Sequence, residues 1–210
     1  MISHIAVLPV IWPLLIGALL LLLQKQGLQT VRAVSVASAS ILAVLAGYLL
    51  NIVNNGEILV YELGNWPPPF GIVLVADRLA AWMLLITALV SAFALLYAIQ
   101  GTDSDGPHFH VLFQLQLFGL NGAFLTGDLF NLFVFFEILL LASYGLLLHG
   151  GGRLRTIAGL YFVIINLVGS TLFLFAVGTL YGLLGTLNMA DLAVKAAGAV
   201  DDDVALIRTA

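Results

Sequence analysis

Residues 131–148 read NLFVFFEILLLASYGLLL, a strongly apolar run that carries one acid, Glu137, near its middle. If Asp128 and Leu148 bound it as a helix, a rise of 1.5 Å per residue gives it a length of about 30 Å, the thickness of a bilayer's hydrocarbon core. Glu137 then lies near the midplane. A charge there costs roughly 2.5 to 3.5 kcal/mol on insertion scales, so intramembrane acids face a protein interior or a water-filled cavity and mark ion or proton pathways. On its helix Glu137 shares a face with Phe130, Phe133, Val134, Leu140, Leu141 and Tyr144, an apolar lining broken by one carboxyl and one phenol.

The composition around this stretch sets the class. The chain has 210 residues, 62% hydrophobic and 9% charged, against about 25% charged in soluble domains. Apolar stretches of nearly twenty residues separated by short polar breaks suit helices that satisfy their own backbone in hydrocarbon, whereas a membrane barrel shows short alternating segments. An all-α membrane protein follows. The six predicted spans are roughly 5–23, 31–53, 77–99, 109–126, 128–148 and 156–185. The amino-terminal run lacks the positive region of a cleaved signal and is read as a retained span.

The absence of cysteine excludes disulfides and iron–sulfur clusters held by this chain. The net charge of −4 comes largely from loop acids, among them Asp103, Asp105 and Asp201 to Asp203, and no basic block suggests a nucleic acid partner. His108 and His110 are two apart, so they point to different sides of a helix, and no third ligand is near. No metal and no cofactor is expected.

Lys25 and Arg32 fall in the first predicted loop and Arg153 and Arg155 in the fifth. The positive-inside rule puts these loops in the cytoplasm. Residues 54–76 are then extracytoplasmic, and their β-prone runs, Glu57–Leu63 and Ile72–Val75, predict a surface hairpin turned by Trp66 and three prolines. After the sixth span, Asn188, Asp191 and Lys195 recur opposite Met189, Leu192, Ala193 and Ala196, which predicts an amphipathic helix over 188–199 lying on the membrane.

Other polar residues fall inside spans. Gln114 and Asn121 share one face of the fourth span, and Asn166 and Ser170 one face of the sixth. Each pair suits either a water chain or interhelical hydrogen bonds, the commoner role. Gly178 and Gly182 are read as a packing contact. Asp128 reads as a helix cap and Gly150–Gly152 as a turn. No Lys or Arg of the chain is placed to pair with Glu137.

GNWPPPFGIVLVADRLAAWM (64–83), with FQLQLFGLNGAFLTGDLFNLFVFFEILLLASYGLLLHGG (113–151), resembles the D subunits of the Mrp (Mnh, Pha) multisubunit sodium/proton antiporters, almost end to end. Those are similar in turn to the antiporter-like membrane subunits of respiratory complex I. The resemblance implies a roughly fourteen-helix fold with two inverted repeats. This sequence would be its first part, a fragment or one product of a split gene: three peripheral helices over 1–108 and the start of the first repeat over 109–210. It also implies a proton relay at Glu137 working with a lysine of a seventh span that this sequence does not contain. Tyr144, Gln114, Asn121, Asn166 and Ser170 are further candidates for lining the path. The expected partners are other subunits of the complex, the bilayer of a bacterial inner membrane, protons and monovalent cations. The alternatives are a proton-pumping subunit of a quinone-coupled complex I or membrane hydrogenase, and a non-transporting scaffold.

Overall fold

The computed structural model describes residues 2–66, 71–198 and 207. The proline turn over 67–69, the acids at 201–203 and the start of a seventh span lie outside the described residues.

Among the described residues, seven α-helices and one hairpin make up the fold: α1 (Leu8–Leu23), α2 (Leu28–Val53), β1 (Leu59–Glu62), β2 (Val73–Ala76), α3 (Arg78–Ala98), α4 (Phe109–Leu125), α5 (Leu129–Leu147), α6 (Arg153–Leu184) and α7 (Met189–Ala197). Five helical stretches, His4–Gln26, α2, α3, α5 and α6, are long and apolar enough to cross a membrane; α4 is apolar but has 17 residues. Two predicted boundaries move. Arg32, Arg153 and Arg155 all lie inside helices rather than in loops, because Gly27 (φ 103°) and Gly152 (φ 100°) turn the chain so tightly that α2 and α6 begin directly after them.

Helices α1 to α4 form a packed group. Leu20, Val31 and Val111 bring α1, α2 and α4 together, and Leu42, Ala88 and Leu117 join α2, α3 and α4. The hairpin forms as the two β-prone runs predict, antiparallel with Leu59 opposite Ala76 and Glu62 opposite Val73. It folds over one end of this group: Leu74 bridges to Thr126, and the Gly127 N–H donates to the Val73 carbonyl at 2.8 Å.

Glycines set how α5 meets α4. A Cβ on Gly119 would sit 2.8 Å from the Leu139 backbone nitrogen, and one on Gly122 would meet the Phe135 ring. With no side chains between them the backbones approach closely, and Asn131, Phe135 and Ala142 are the buried residues of α5. Glu137 follows Phe135 by two residues, roughly 200° further round the helix. The α4 contact therefore turns Glu137 away from the packed group.

It turns toward α6. That helix has 32 residues, of which only Gly159 and Val177 are buried. Leu160, Ile165, Leu172 and Phe175 are exposed, as expected of surface that meets lipid or other protein. The expected packing contact at Gly178 and Gly182 is not made within the described residues, since a Cβ at either would meet nothing within 4 Å.

After α6 the chain returns to the start of α5. Leu129 N–H donates to the Leu187 carbonyl (2.9 Å), Met189 N–H donates to the Gly127 carbonyl (2.9 Å), and Asp128 pairs with Asn188 in an antiparallel bridge. The predicted helix over 188–199 is α7, with Leu192 buried and an Asp191–Lys195 ion pair of 3.0 Å that holds the Asp191 carboxyl below its usual range. Asn188 is corrected from the polar face to the cap: it is 7% exposed, and its side chain accepts from the Ala190 and Asp191 amides.

Candidate functional site

Glu137 lies on the ninth of the 19 residues of α5, in the wall of a cleft of about 450 Å³ between α5 and α6. Phe133, Phe136 and Leu140 make the apolar part of that wall, and Asn166, Gly169 and Ser170 face them from α6. Two carboxyl neighbours expected from sequence, Phe133 and Leu140, are there. So are Asn166 and Ser170, which the structure brings to the same cleft although no sequence spacing linked them to Glu137.

The hydrogen bonds in the cleft are uneven. Asn166 donates its side-chain N–H to the Phe162 carbonyl (2.8 Å) and Ser170 its hydroxyl to the Leu167 carbonyl (3.3 Å), one turn back on their own helix. Both have spent a donor and keep an acceptor. Glu137 Oε1 is buried and has no partner among the described residues. A buried oxygen without a partner costs about 1 to 3 kcal/mol, more when charged. The cleft thus holds unsatisfied oxygens suited to water, a proton or a cationic side chain. Tyr144, two turns along α5, packs edge-on against Phe162 with ring centroids 5.8 Å apart and does not line the cleft.

Gln114 and Asn121 are elsewhere. Gln114 is fully buried on α4; its carbonyl accepts from the Ser38 hydroxyl (3.3 Å) and its amide donates to Ser35 (3.5 Å). Trp12 of α1 donates to the same Ser38 (3.1 Å), and Asn121 donates to the Pro9 carbonyl of α1 (2.8 Å). Of the two roles open to these residues, the structure shows interhelical hydrogen bonds.

At the amino-terminal end of α4 lies a cluster that the sequence pattern does not reveal. Asp103, which reads as no more than a loop acid, has a fully buried side chain that accepts from Arg32 Nε (2.6 Å) and Nη2 (2.7 Å) and from His110 Nε2 (3.1 Å). The Arg32 guanidinium holds its carboxyl below the usual range, helped by His110 and opposed by burial. Seventy-one residues separate Arg32 from Asp103, too far for local spacing to signal the pair. Asp128 is the expected cap of α5, its Oδ1 accepting from the Asn131 amide at 2.9 Å.

The helices that build the cleft have known relatives. Residues 126–207, which contain α5, α6 and the whole cleft, match the family model described as NADH:quinone oxidoreductase/Mrp antiporter, TM. The D subunit of a probable K(+)/H(+) antiporter of Rhizobium meliloti is 50% identical over 200 residues, covering 93% of this chain and 37% of its own length. The D subunit of the Na(+)/H(+) antiporter of Alkalihalophilus pseudofirmus is 43% identical, covering 92% of this chain and 39% of its own. The chain is a homologue of Mrp antiporter D subunits. It is accordingly a multi-pass membrane protein, and it spans about two-fifths of the length of those curated relatives. This D-subunit homologue also superimposes on a chain of an archaeal respiratory complex, the membrane-bound sulfane sulfur reductase. That match has a TM-score of 0.88 at 30% identity, over 96% of this chain and 41% of the other.

Proposed function

We propose that this chain forms part of an ion-translocating subunit of a multisubunit monovalent cation/proton antiporter in a bacterial cell membrane, and that Glu137 is its proton relay. The observation that carries this reading is the buried carboxyl oxygen halfway along α5, unpartnered among the described residues, in a cleft shared with Asn166 and Ser170. The names of the relatives, potassium/proton and sodium/proton antiporter subunits, support the substrate class and leave the choice of cation open.

Mechanistically, Glu137 gains a proton and becomes a neutral group tolerable at bilayer depth, then loses it when a cation approaches the other side of the cleft. Among the described ion pairs, Arg32 and Lys195 are engaged elsewhere. The approaching charge is assigned to another polypeptide or to the seventh-span lysine that the resemblance implies. Asn166 and Ser170 offer acceptors to water carrying the proton toward the relay; Tyr144, outside the cleft, has a weaker claim.

In the same reading α4 is the fourth of six crossings, its 17 residues extended by its flanking turns, and the chain is the opening part of a roughly fourteen-helix fold. Residues 1–108 are peripheral and residue 109 begins the first repeat. The hairpin and α7 face outward, with α7 lying along the membrane, and residues 150–155 face the cytoplasm. Cysteines placed at Asn65 and Gly151 should react with an impermeant thiol reagent from opposite sides.

Replacement of Glu137 tests the relay. In the assembled complex Glu137→Gln keeps the shape but cannot carry a proton, so cation-driven proton flux should fall about tenfold or more while assembly survives. Glu137→Asp should keep part of the flux. Normal flux in the Gln variant would refute the relay and favour a scaffold. The likeness to a respiratory complex supports a second reading, a proton-pumping subunit coupled to electron transfer. It would be distinguished by flux that needs an electron donor rather than a cation gradient.

A further inference from the structure

We propose that His110 is a second proton-binding site, remote from Glu137, which takes up a proton at Nδ1 from the crevice where α1, α2 and α4 meet.

Which ring nitrogen is free decides where a proton can enter. Asp103 is paired with Arg32 through both oxygens and is an ionised carboxylate, which can only accept hydrogen bonds. His110 Nε2, 3.1 Å from Oδ2, must therefore carry a hydrogen whether the ring is neutral or charged. In the neutral form the lone pair is left on Nδ1, and Nδ1 is buried with no partner among the described residues. Uptake of one proton at Nδ1 fills that lone pair, turns imidazole into imidazolium and breaks no existing bond. The cluster is ready for the charge before it arrives.

Space and charge agree with this. His110 lines a crevice of about 230 Å³ together with Gln24, Val31, Asp103, Gly106 and His108. That is room for several waters beside the ring; Nδ1 itself is buried, so a small shift of the ring or of the crevice wall brings it within reach of a proton carried along them. The charged and titratable groups around the ring are few. Arg32 of α2 and Asp103 cancel each other, so a proton on His110 takes the cluster from neutral to a single positive charge. His149, at the end of α5, is reached through Phe109, whose ring lies 5.3 Å from His110 and 5.1 Å from His149. Its Nε2 donates to the Thr102 carbonyl (3.0 Å). On the α1 side Gln24 bonds His108, and Lys25 is exposed at the adjacent turn. Asp105 follows Asp103 on the exposed side of the loop. Among the described residues no second carboxylate bonds the ring.

The position is separate from the cleft of Glu137. His110 sits in the first turn of α4, close to His149 and so to the carboxy-terminal end of α5. From Leu147, the last residue of α5, back to Glu137 is about 15 Å along the helix axis.

Solid-state NMR of the assembled complex tests the proposal, with this chain labelled by imidazole-¹⁵N histidine and His4, His108 and His149 replaced by Gln so that His110 alone reports. Between about pH 8 and pH 5 the signal should pass from a ring protonated only at Nε2 to one protonated at both nitrogens, and return on reversal. A second sample with wild-type histidines, compared with His110→Gln, assigns the same signal if the triple variant is poorly formed. A His110 ring that stays singly protonated to about pH 5 would overturn the proposal. So would a neutral ring protonated at Nδ1. Neither result depends on whether Glu137 is a relay.

Discussion

The group formed by α1 to α4 and the α5–α6 cleft use the same kinds of polar side chain to different ends. In the first, Gln114, Ser35, Ser38, Trp12 and Asn121 bond across helices, and each finds a partner on another element. In the second, Asn166 and Ser170 bond back to their own helix, and Glu137 Oε1 bonds nothing among the described residues. Satisfied polar groups between helices hold a membrane fold together, whereas unsatisfied ones around an open space are prepared for something that comes and goes. Polarity within a span does not by itself mark a pathway; what matters is whether the hydrogen bonds are already spent.

Paired substitutions can break this contrast. Gln114→Leu should leave Ser35 without its partner and cost about 1 to 3 kcal/mol in an unfolding measurement. Flux per assembled complex should stay near normal, the reverse of the outcome expected for Glu137→Gln. If both variants lost flux at equal assembly, the division between scaffold and pathway would fail.

Glycine substitutions sharpen the packing side of it. Gly119→Ala drives a Cβ against the Leu139 backbone, which cannot swing aside, and should cost about 1 to 3 kcal/mol. Gly178→Ala meets nothing among the described residues and should be neutral, or stabilising by up to about 1 kcal/mol through helix propensity. Unfolding of both variants decides whether the α4–α5 contact or the open face of α6 carries the fold.

Smaller effects are expected within the cleft. Asn166→Ala and Ser170→Ala each remove an acceptor but no interhelical bond, so stability should change by about 0.5 kcal/mol or less. Flux should fall a few-fold, less than for Glu137→Gln. At the other end of the molecule the effect is local and set by pH. The Asp103 carboxyl is lowered by Arg32, so its contribution is present above about pH 4, the unfolded value, and is lost as pH falls through the folded value. Amide protection over 100–108, measured against the intrinsic exchange rate at each pH, should fall on acidification in that range, and Asp103→Asn should abolish the dependence.

The residues differ in how openly the sequence announced them. Glu137 was legible because an acid in hydrocarbon is costly and rare, and Asp128 because a cap acts on its own helix. The hairpin showed in its two β-prone runs. Asn166 and Ser170 were visible as a stripe, but which helix they face depends on the Gly119 and Gly122 contact that turns α5, and no local pattern encodes that. Gln114 and Asn121 form an equally regular stripe, and only the positions of Ser35, Ser38 and Pro9 separate them from a pathway. Arg32 and Asp103 are joined by tertiary structure alone.

The bridge between Asp128 and Asn188 closes the chain into a ring that contains α5, the glycine turn and α6. A ring fastened at one end behaves as a strap. If α6 swings relative to α5, the bend must be taken up at corners without side-chain restraint, at Gly150–Gly152 and at Gly185, all of which have positive φ. The width of the space beside Glu137 is then governed from its two ends as well as by the ring contacts across it, and stiffening either corner would alter the opening without touching a residue that lines it.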